Sequence, residues 1–286
     1  MSPISKLVLG ITPTAGFYSA LNNTPGPVIG FLHRPFNLDR QRLPRACTVL
    51  ASHKGFDEVL TVGYNIALAH KLGVHVQGSV CLQGYKGDPE RRIGVIGRLG
   101  VEGEEVDAFD LRTKIRAEFG GAECEGEFGF SSSSTTATSE LEEGGVPLDP
   151  VPVRDEARRV SALAIMNAFH PAEVERVVSA AISAGFIASE SEADRILYLT
   201  GAVREEGLTA ARDKGMRVTC VGHRICEEWG VRFLANEVRK EFPEMHVEEV
   251  YEEEEVVGWP PKRKSEYTGS RQVMPNKPVT DKITEG

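Results

Sequence analysis

Apolar and polar positions follow two different periods along this chain. Short, mostly apolar runs at 28–33 and 48–52 predict buried strands. Apolar residues that recur every three or four positions predict amphipathic helices, for example from 57 to 72 and from 111 to 119. Strands that alternate with helices of this length favour an α/β fold, in which helices cover the faces of the sheets.

The same alternation returns in the second part of the chain. It predicts strands at 161–166, 195–199, 217–221 and 246–251, and helices at 171–184, 204–214 and 227–242. The run 92–100 is rich in glycine but contains neither a GxGxxG nor a Walker pattern. We therefore interpret it as a strand with close backbone approach rather than as a nucleotide-binding loop.

Composition divides the chain into four stretches. Residues 120–145 hold many serines, threonines and glycines and very few large apolar side chains, so burial there does not offset the entropy lost on ordering. The stretches are an N-terminal α/β half at 1–119, a low-complexity insertion or linker at 120–157, a C-terminal α/β half at 158–256 and a disordered tail at 257–286.

Charge and cysteine usage exclude several classes of function. The formal net charge of −9 disfavours direct binding of nucleic acid, which normally requires a face rich in Lys and Arg. The five cysteines are scattered and odd in number, which disfavours a disulfide framework and a thiolate zinc ribbon. The chain shows no signal peptide and no apolar run long enough to span a membrane. A cytoplasmic protein is expected, with the nucleus as the alternative.

Three histidines stand in positions suited to a metal centre. His53 and His223 each have an acidic residue four positions later, Asp57 and Glu227, and His33 ends the first apolar run. Side chains at i and i+4 of a helix lie on one face, so each pair can share a cation. His33 and His53 follow strands, where ligand clefts of α/β sheets form. The alternative is that each pair is an ordinary solvated surface contact.

These segments together resemble the NIF three-like family of dinuclear-metal-centre hexameric proteins, some of which are labelled GTP cyclohydrolase I type 2. The segment 52–57 resembles the family's His-Thr-Asn-Leu-Asp-like segment, 199–202 approximates its Thr-Gly-Glu segment, and 222–227 resembles its Gly-His-Tyr-x-x-Glu segment. Order and separation agree over about two thirds of the chain, at 28–100 and 158–252.

The resemblance implies two layered α/β halves with a metal cleft between them. It implies one or two divalent ions, Zn, Fe, Mn or Ni, bound by residues from both halves: His33, His53, Asp57, His223 and Glu227. Such a centre activates water, so a metal-dependent hydrolase is expected, acting on a phosphate ester, cyclic amide or similar bond of a phosphorylated or nucleotide-like substrate. The resemblance also implies a homo-oligomer, a hexamer in the family, and protein partners in transcription.

The chain departs from the family pattern at three places. The family's His-His-Pro segment is His33-Arg34-Pro35 here, and a guanidinium cannot bind a metal ion. Arg34 is instead expected to hold an anionic group of the substrate, or to form a salt bridge. The Thr-Gly-Glu acid is replaced by Ala202, and the family's opening strand and helix are expected to be shortened or missing. These departures favour the alternative function, an oligomeric, non-catalytic interaction protein with a degraded metal site.

Overall fold

Two sheets of different type organise this chain, which is represented by a computed structural model. The residues described are 4–100, 104–121, 126–128 and 159–253, and they belong to one compact unit that extends through Glu254. Twelve strands occur in these ranges: β1 (Lys6–Gly10), β2 (Val28–Leu32), β3 (Cys47–Ala51), β4 (Val80–Tyr85), β5 (Asp88–Arg98), β6 (Val106–Asp107), β7 (Gly126–Phe128), β8 (Arg159–Val160), β9 (Ala162–Met166), β10 (Ile196–Thr200), β11 (Arg217–Cys220) and β12 (His246–Val250).

Seven α-helices occur in the same ranges, together with short 3-10 turns at Arg40–Arg42, Val76–Gly78 and Glu190–Arg195. The α-helices are α1 (Ala15–Asn22), α2 (Lys54–Val59), α3 (Ile66–Leu72), α4 (Ala108–Glu118), α5 (Pro171–Ser183), α6 (Glu205–Asp213) and α7 (His223–Glu241). The mixture confirms the predicted α/β class.

The first sheet is fully parallel and has the strand order β12-β1-β2-β3. Every residue of β1 is buried, as expected for a parallel strand covered on both faces. Leu7 and Leu9 pack in one core cluster with residues of α2 and α7, whereas Val8 packs in another with residues of α1. Because α2 and α7 share a face of this sheet, their first turns can approach each other.

The second sheet is mixed and has the strand order β4-β5-β9-β10-β11-β7. Its central strands β9, β10 and β11 are parallel, while β4, β5 and β7 run antiparallel to their neighbours. The predicted close approach in 92–100 is confirmed, since a Cβ on Gly94 would stand 2.7 Å from the Cβ of Met166. Strands β9 and β10 are completely buried and form the centre of the core.

The two sheets do not correspond to the two predicted halves of the sequence. The first sheet takes β12 from the C-terminal stretch, and the second takes β4 and β5 from the N-terminal one. Each of the two sheets therefore combines strands from the stretches 1–119 and 158–256. Most of the predicted insertion 120–157 and the whole predicted tail 257–286 lie outside the described residues. Of the insertion, residues 126–128 form β7.

Three sequence predictions require correction. An opening strand and helix are present as β1 and α1, so the expectation that they are missing was wrong, while the expectation that they are shortened stays a prediction. The predicted helix 57–72 is two helices, because the chain turns sharply at Gly63, where a Cβ would stand 2.6 Å from the Asp57 carbonyl oxygen. The last long helix begins at His223 rather than at Glu227, because Gly222 ends the preceding segment with a φ of 90°.

Candidate metal centre

His33 lies immediately after the carboxyl end of β2, in the middle of the parallel sheet. Its side chain is completely buried, and its backbone N–H donates to the carbonyl of Gly10 over 3.2 Å. Its ring also packs on Phe56 of α2, with ring centroids 4.5 Å apart. The strand β1, which was expected to be shortened or missing, is therefore one of the elements that hold His33 in place.

His53 and Asp57 lie in the first turns of α2, directly after β3. His53 precedes the first helical residue and its carbonyl accepts from the N–H of Asp57 over 2.9 Å. His53 Nδ1 lies 3.8 Å from Asp57 Oδ2, so the i and i+4 positions share a face as predicted. We call these two residues the α2 pair. Both side chains are partly exposed, His53 by 43% and Asp57 by 30%.

His223 and Glu227 occupy the equivalent positions of α7, directly after β11. Nε2 of His223 lies 3.4 Å from Oε1 of Glu227. We call these two residues the α7 pair. Its burial is uneven, because His223 is 51% exposed and Glu227 only 2%.

The buried His33 ring stands between the two pairs. Its Nε2 lies 3.3 Å from Asp57 Oδ1 and 3.2 Å from Glu227 Oε1. Nδ1 faces the carbonyl of Ser52 at 3.1 Å. A carbonyl oxygen only accepts, so this contact assigns the proton to Nδ1 and leaves the Nε2 lone pair directed at two carboxylates. That arrangement is repulsive unless a cation, either a proton or a metal ion, lies between them.

The geometry fits a metal ion. In the described residues, one ligand atom each from His33, His53 and Asp57 lie within 4.8 Å of one another. Two atoms that bind one zinc ion at about 2.1 Å lie roughly 3.4 Å apart in tetrahedral geometry, close to the contacts of His33 Nε2. The Nε2 atom also has no hydrogen-bond partner of good geometry in the described part of the chain. Nitrogen and carboxylate oxygen donors suit the first-row metals named above.

The ionisation of the site shows how strongly it attracts positive charge. Burial disfavours the charged form of His33, but the carboxylates of Asp57 and Glu227 outweigh it and raise its pKa to about 9. Burial likewise opposes ionisation of Glu227, yet the imidazoles of His223 and His33 hold the pKa of this carboxyl well below its usual range. The Glu227 contact raises the pKa of His223. A metal ion would compete with the proton for the same nitrogen atoms.

Arg34 adds a fixed positive charge to the α7 side of the site. Its Nη1 lies 3.4 Å from Oε1 of Glu227, the same oxygen that faces His33 and His223. The salt bridge anticipated as one alternative for Arg34 is present. A substrate contact of Arg34 stays a prediction.

The position of the missing acid, Ala202, lies in a turn after β10. Its backbone N–H donates to the hydroxyl of Thr200 over 3.4 Å, and the neighbouring Gly201 is so close to Asn167 and Cys226 that a Cβ would stand 2.8 Å from each. A hydroxyl contact and close packing at Gly201 therefore hold this turn.

A cleft opens beside the candidate centre and contains residues that the sequence motifs do not include. Asp57 and His223 line it together with Asn167, Arg91, Arg92 and Arg204. Asn167 directly follows β9 and Arg204 lies four residues after β10. Both strands are parallel members of the second sheet, so the rule that clefts form at the carboxyl ends of parallel strands could have found these two residues. Arg91 and Arg92 lie within β5, and no comparable signal marks them.

Comparison with known proteins supports this fold. The chain is similar to reduced HcgD from Methanocaldococcus jannaschii, with 13% identity, coverage of 86% of this chain and 83% of that chain, and a TM-score of 0.51. It is also similar to protein ybgI, of unknown function, with 18% identity, coverage of 87% and 85%, and a TM-score of 0.51. Staphylococcus aureus protein SA1388 shows 11% identity, coverage of 90% and 88%, and a TM-score of 0.50.

At these identities the similarity concerns the fold alone. No curated protein matches the chain. In the described ranges, no helix has the length and apolar character that crossing a membrane requires. A family model described as Duf34/NIF3 (NGG1p interacting factor 3) matches residues 38–255, which is most of the sequence, and the chain therefore belongs to this family.

Proposed function

We propose that the protein is a metal-dependent hydrolase with one divalent cation held by His33, His53 and Asp57. The observation that carries this proposal is the buried Nε2 atom of His33, which faces Asp57 and Glu227 at 3.3 and 3.2 Å while Nδ1 faces a carbonyl. A protein interior tolerates an imidazole lone pair between two carboxylates only with a cation at that point. The family membership supports the same assignment.

The charge distribution favours one ion per chain. Among the described residues, the three ligand atoms that lie within 4.8 Å of one another come from the α2 pair and His33. A second ion at the α7 pair would stand close to the Arg34 guanidinium, which already lies 3.4 Å from Glu227 Oε1. A guanidinium and a divalent cation about 4 Å apart repel each other by about 8 kcal/mol at an effective dielectric constant of about 20, twice the value for two unit charges. The predicted ligands Glu227 and His223 thus stay proposals for a second, weaker position.

Each side chain of the site has a separate role in the proposed hydrolysis. A bound divalent cation would supply a water molecule of lowered pKa, close to about 7, and a Lewis acid for the bond that is cleaved. His33 and Asp57 fix the position of this cation, with Ser52 and Phe56 holding the His33 ring. Partly exposed His53 leaves the cation open toward solvent. His223, half-exposed at the cleft, is placed to donate a proton to a leaving group.

Metal analysis of the purified chain tests the proposal. We expect close to one divalent ion per chain by inductively coupled plasma mass spectrometry, and its loss in His53→Ala and Asp57→Asn. His246→Ala is a matched control, because His246 is an exposed histidine whose Nε2 also lies 3.9 Å from a carboxylate, that of Glu248. Hydrolysis of a chromogenic phosphate monoester should follow the metal content. A chain that stays metal-free after incubation with Zn²⁺, Mn²⁺, Fe²⁺ and Ni²⁺ would overturn the proposal.

A second candidate function, that of an oligomeric interaction protein, is favoured by the first sheet. Within the described residues β3 is an edge strand of this sheet, and it carries Leu50, which is 51% exposed. Exposed Phe36 precedes it by a short stretch. An edge strand can pair with another chain, and we propose a second copy of this protein as the partner. Light scattering should give a multimer whose mass falls in Leu50→Lys; an unchanged mass would reject the interface.

A further inference from the structure

The cleft beside the candidate centre can receive a small chemical group. Its cavity volume is about 130 Å³, below the range of about 300–1,000 Å³ that is typical of pockets for drug-sized ligands, so it suits a group such as a phosphate rather than a large molecule. Asp57 and His223 form part of its wall, so a ligand in the cleft would be in reach of the proposed cation. Three arginines, Arg91, Arg92 and Arg204, form another part.

An irregularity of β5 explains why consecutive arginines reach one cleft. Side chains of a regular strand alternate between the two faces of a sheet. The pairing of β4 with β5 shifts register between Leu82 and Gln83, where Gln83 pairs with Arg92 and Leu82 pairs with Gly94. A bulge of this kind redirects side chains and is frequent beside active sites. Arg91, Arg92 and Ile93 all line the cleft as a result.

Two buried polar atoms of the cleft residues have no hydrogen-bond partner in the described ranges. Nε of Arg91 forms no hydrogen bond, and its carboxylate neighbour, Glu58 Oε1, stands 3.8 Å away. Oδ1 of Asn167 also forms no hydrogen bond. Buried polar groups are normally satisfied, and a ligand is one partner that satisfies them. The amide of Asn167 can present either its oxygen or its nitrogen, since their assignment follows from the contacts made.

The charges of the cleft favour an anion. Arg92 and Arg204 are both exposed, and neither forms an ion pair with a carboxylate of the described residues. The acidic groups on the wall are Asp57, a proposed metal ligand, and Glu58, which faces Arg91. The three arginines of the wall outnumber these two carboxylates, and a cation bound to Asp57 would increase the excess of positive charge. Planar guanidinium groups bind phosphate oxygens in pairs and hold them more specifically than an ammonium group does.

We infer that this cleft binds a phosphorylated small molecule, whose phosphate is held by Arg92 and Arg204 and contacted by Arg91 and Asn167. The inference rests on the proposed hydrolase function and names its substrate class. Binding of the phosphate on the arginine wall would place the adjoining ester bond toward Asp57 and His223. Arg34 is not among the residues that line the cleft, so the phosphate contact proposed here belongs to other arginines, and the substrate contact predicted for Arg34 stays a separate prediction.

Calorimetric titration of the full chain with inorganic phosphate tests the inference. We expect saturable binding whose dissociation constant rises about tenfold in Arg92→Gln and in Arg204→Gln, because a charge-assisted hydrogen bond contributes that much or more. Arg45→Gln is the matched control, since Arg45 is exposed and lies outside the cleft. Its dissociation constant should equal that of the unmodified chain. Arg92 and Arg204 are exposed, so their replacement leaves the core intact; thermal unfolding verifies this.

Several outcomes would overturn the inference. Equal phosphate affinity in the arginine variants and the unmodified chain would place the anion elsewhere, and succinate binding as tight as phosphate would reject the phosphorylated class. An absence of phosphate binding by metal-loaded protein would reject the site. The metal content of each variant, measured in parallel, separates the two proposals. Phosphate binding by a chain that takes up no metal would keep the cleft and reject the hydrolase, whereas metal uptake without phosphate binding would do the reverse.

Discussion

The α2 pair and the α7 pair have the same sequence spacing and opposite surroundings. Each is a histidine followed by an acid at i+4, and each stands in the first turns of a helix that follows a parallel strand. Asp57 of the α2 pair is 30% exposed and lies near the imidazole rings of His33 and His53. Glu227 of the α7 pair is 2% exposed and already contacts Arg34. The α2 pair belongs to the candidate ligand group, whereas the carboxylate of the α7 pair already faces the guanidinium of Arg34.

This difference shows that the residues packed against a ligand motif determine whether the motif can bind a metal ion. Nothing within 222–227 distinguishes its metal-binding ability from that of 52–57. The distinction comes from Arg34, which is far away in sequence and reaches Glu227 only because β2 ends beside α7 in the folded chain. A guanidinium remains charged at every pH at which the protein folds, so it opposes a second cation permanently.

The largest expected effect concerns stability in the absence of metal. Glu227→Ala removes a buried carboxylate that contacts three cationic or polar side chains, and we expect the free energy of unfolding to fall by about 3 kcal/mol. Asp57→Ala should reduce it by less than about 1 kcal/mol, because that carboxylate is partly exposed and its pairing is screened. Urea unfolding of both variants in a chelator measures the two values. Equal losses would remove the contrast between the pairs.

Much of the fold could be predicted because its elements are strongly patterned. The strand β9 is a continuous apolar run in a buried parallel sheet, and α5 begins at a proline that suits the first helical turn. The opening strand β1 is equally buried, yet the family resemblance led us to expect that it is shortened or missing, and the expectation of a missing strand was wrong. The break between α2 and α3 was missed because it depends on tight packing at Gly63, which periodicity does not record.

The candidate site was predictable only in part for a related reason. His33, His53 and Asp57 carry local signals, since two of them end strands and the third completes a helical spacing. The contact of Arg34 with Glu227 joins residues 193 positions apart, so it depends on the order of strands in a sheet rather than on any local pattern. The arginine wall depends on a bulge in β5, which is a property of the pairing between two strands.

A second prediction compares the two carboxylates as determinants of metal affinity. Mutation of groups around a metal ligand typically weakens metal binding about 10- to 100-fold. Because Asp57→Asn alters a direct ligand, we expect it to raise the dissociation constant for the metal by more than about 100-fold. Glu227→Gln keeps the volume of the side chain and should cost about tenfold. Competition with a fluorescent chelator yields both dissociation constants. A larger loss in Glu227→Gln would transfer the primary ion to the α7 pair.

A third prediction concerns a substitution that would give the α7 pair surroundings similar to those of the α2 pair. Arg34→His removes the guanidinium from Glu227 and adds an imidazole next to His33, so the α7 side should accept a second ion with at least about tenfold higher affinity than in the unmodified chain. The metal content should rise from one to two ions per chain. Arg34→Gln serves as a control that removes the charge without supplying a ligand. If both variants keep a single ion, the guanidinium is not what limits the site.

The smallest expected effect belongs to His223, which sequence reasoning placed among the ligands. Its side chain is half-exposed and contacts the Glu227 oxygen that Arg34 and His33 also face, so its imidazole stabilises this carboxylate more than it holds the primary ion. We expect His223→Ala to weaken metal binding by less than about fivefold, since an exposed contact contributes at most about 1 kcal/mol. His53→Ala should weaken it far more, although its imidazole is nearly as exposed. Chelator competition on the two variants, with His246→Ala beside them, measures the ratio. Equal losses would show that both pairs hold the same ion, because two imidazoles of similar exposure would then contribute alike.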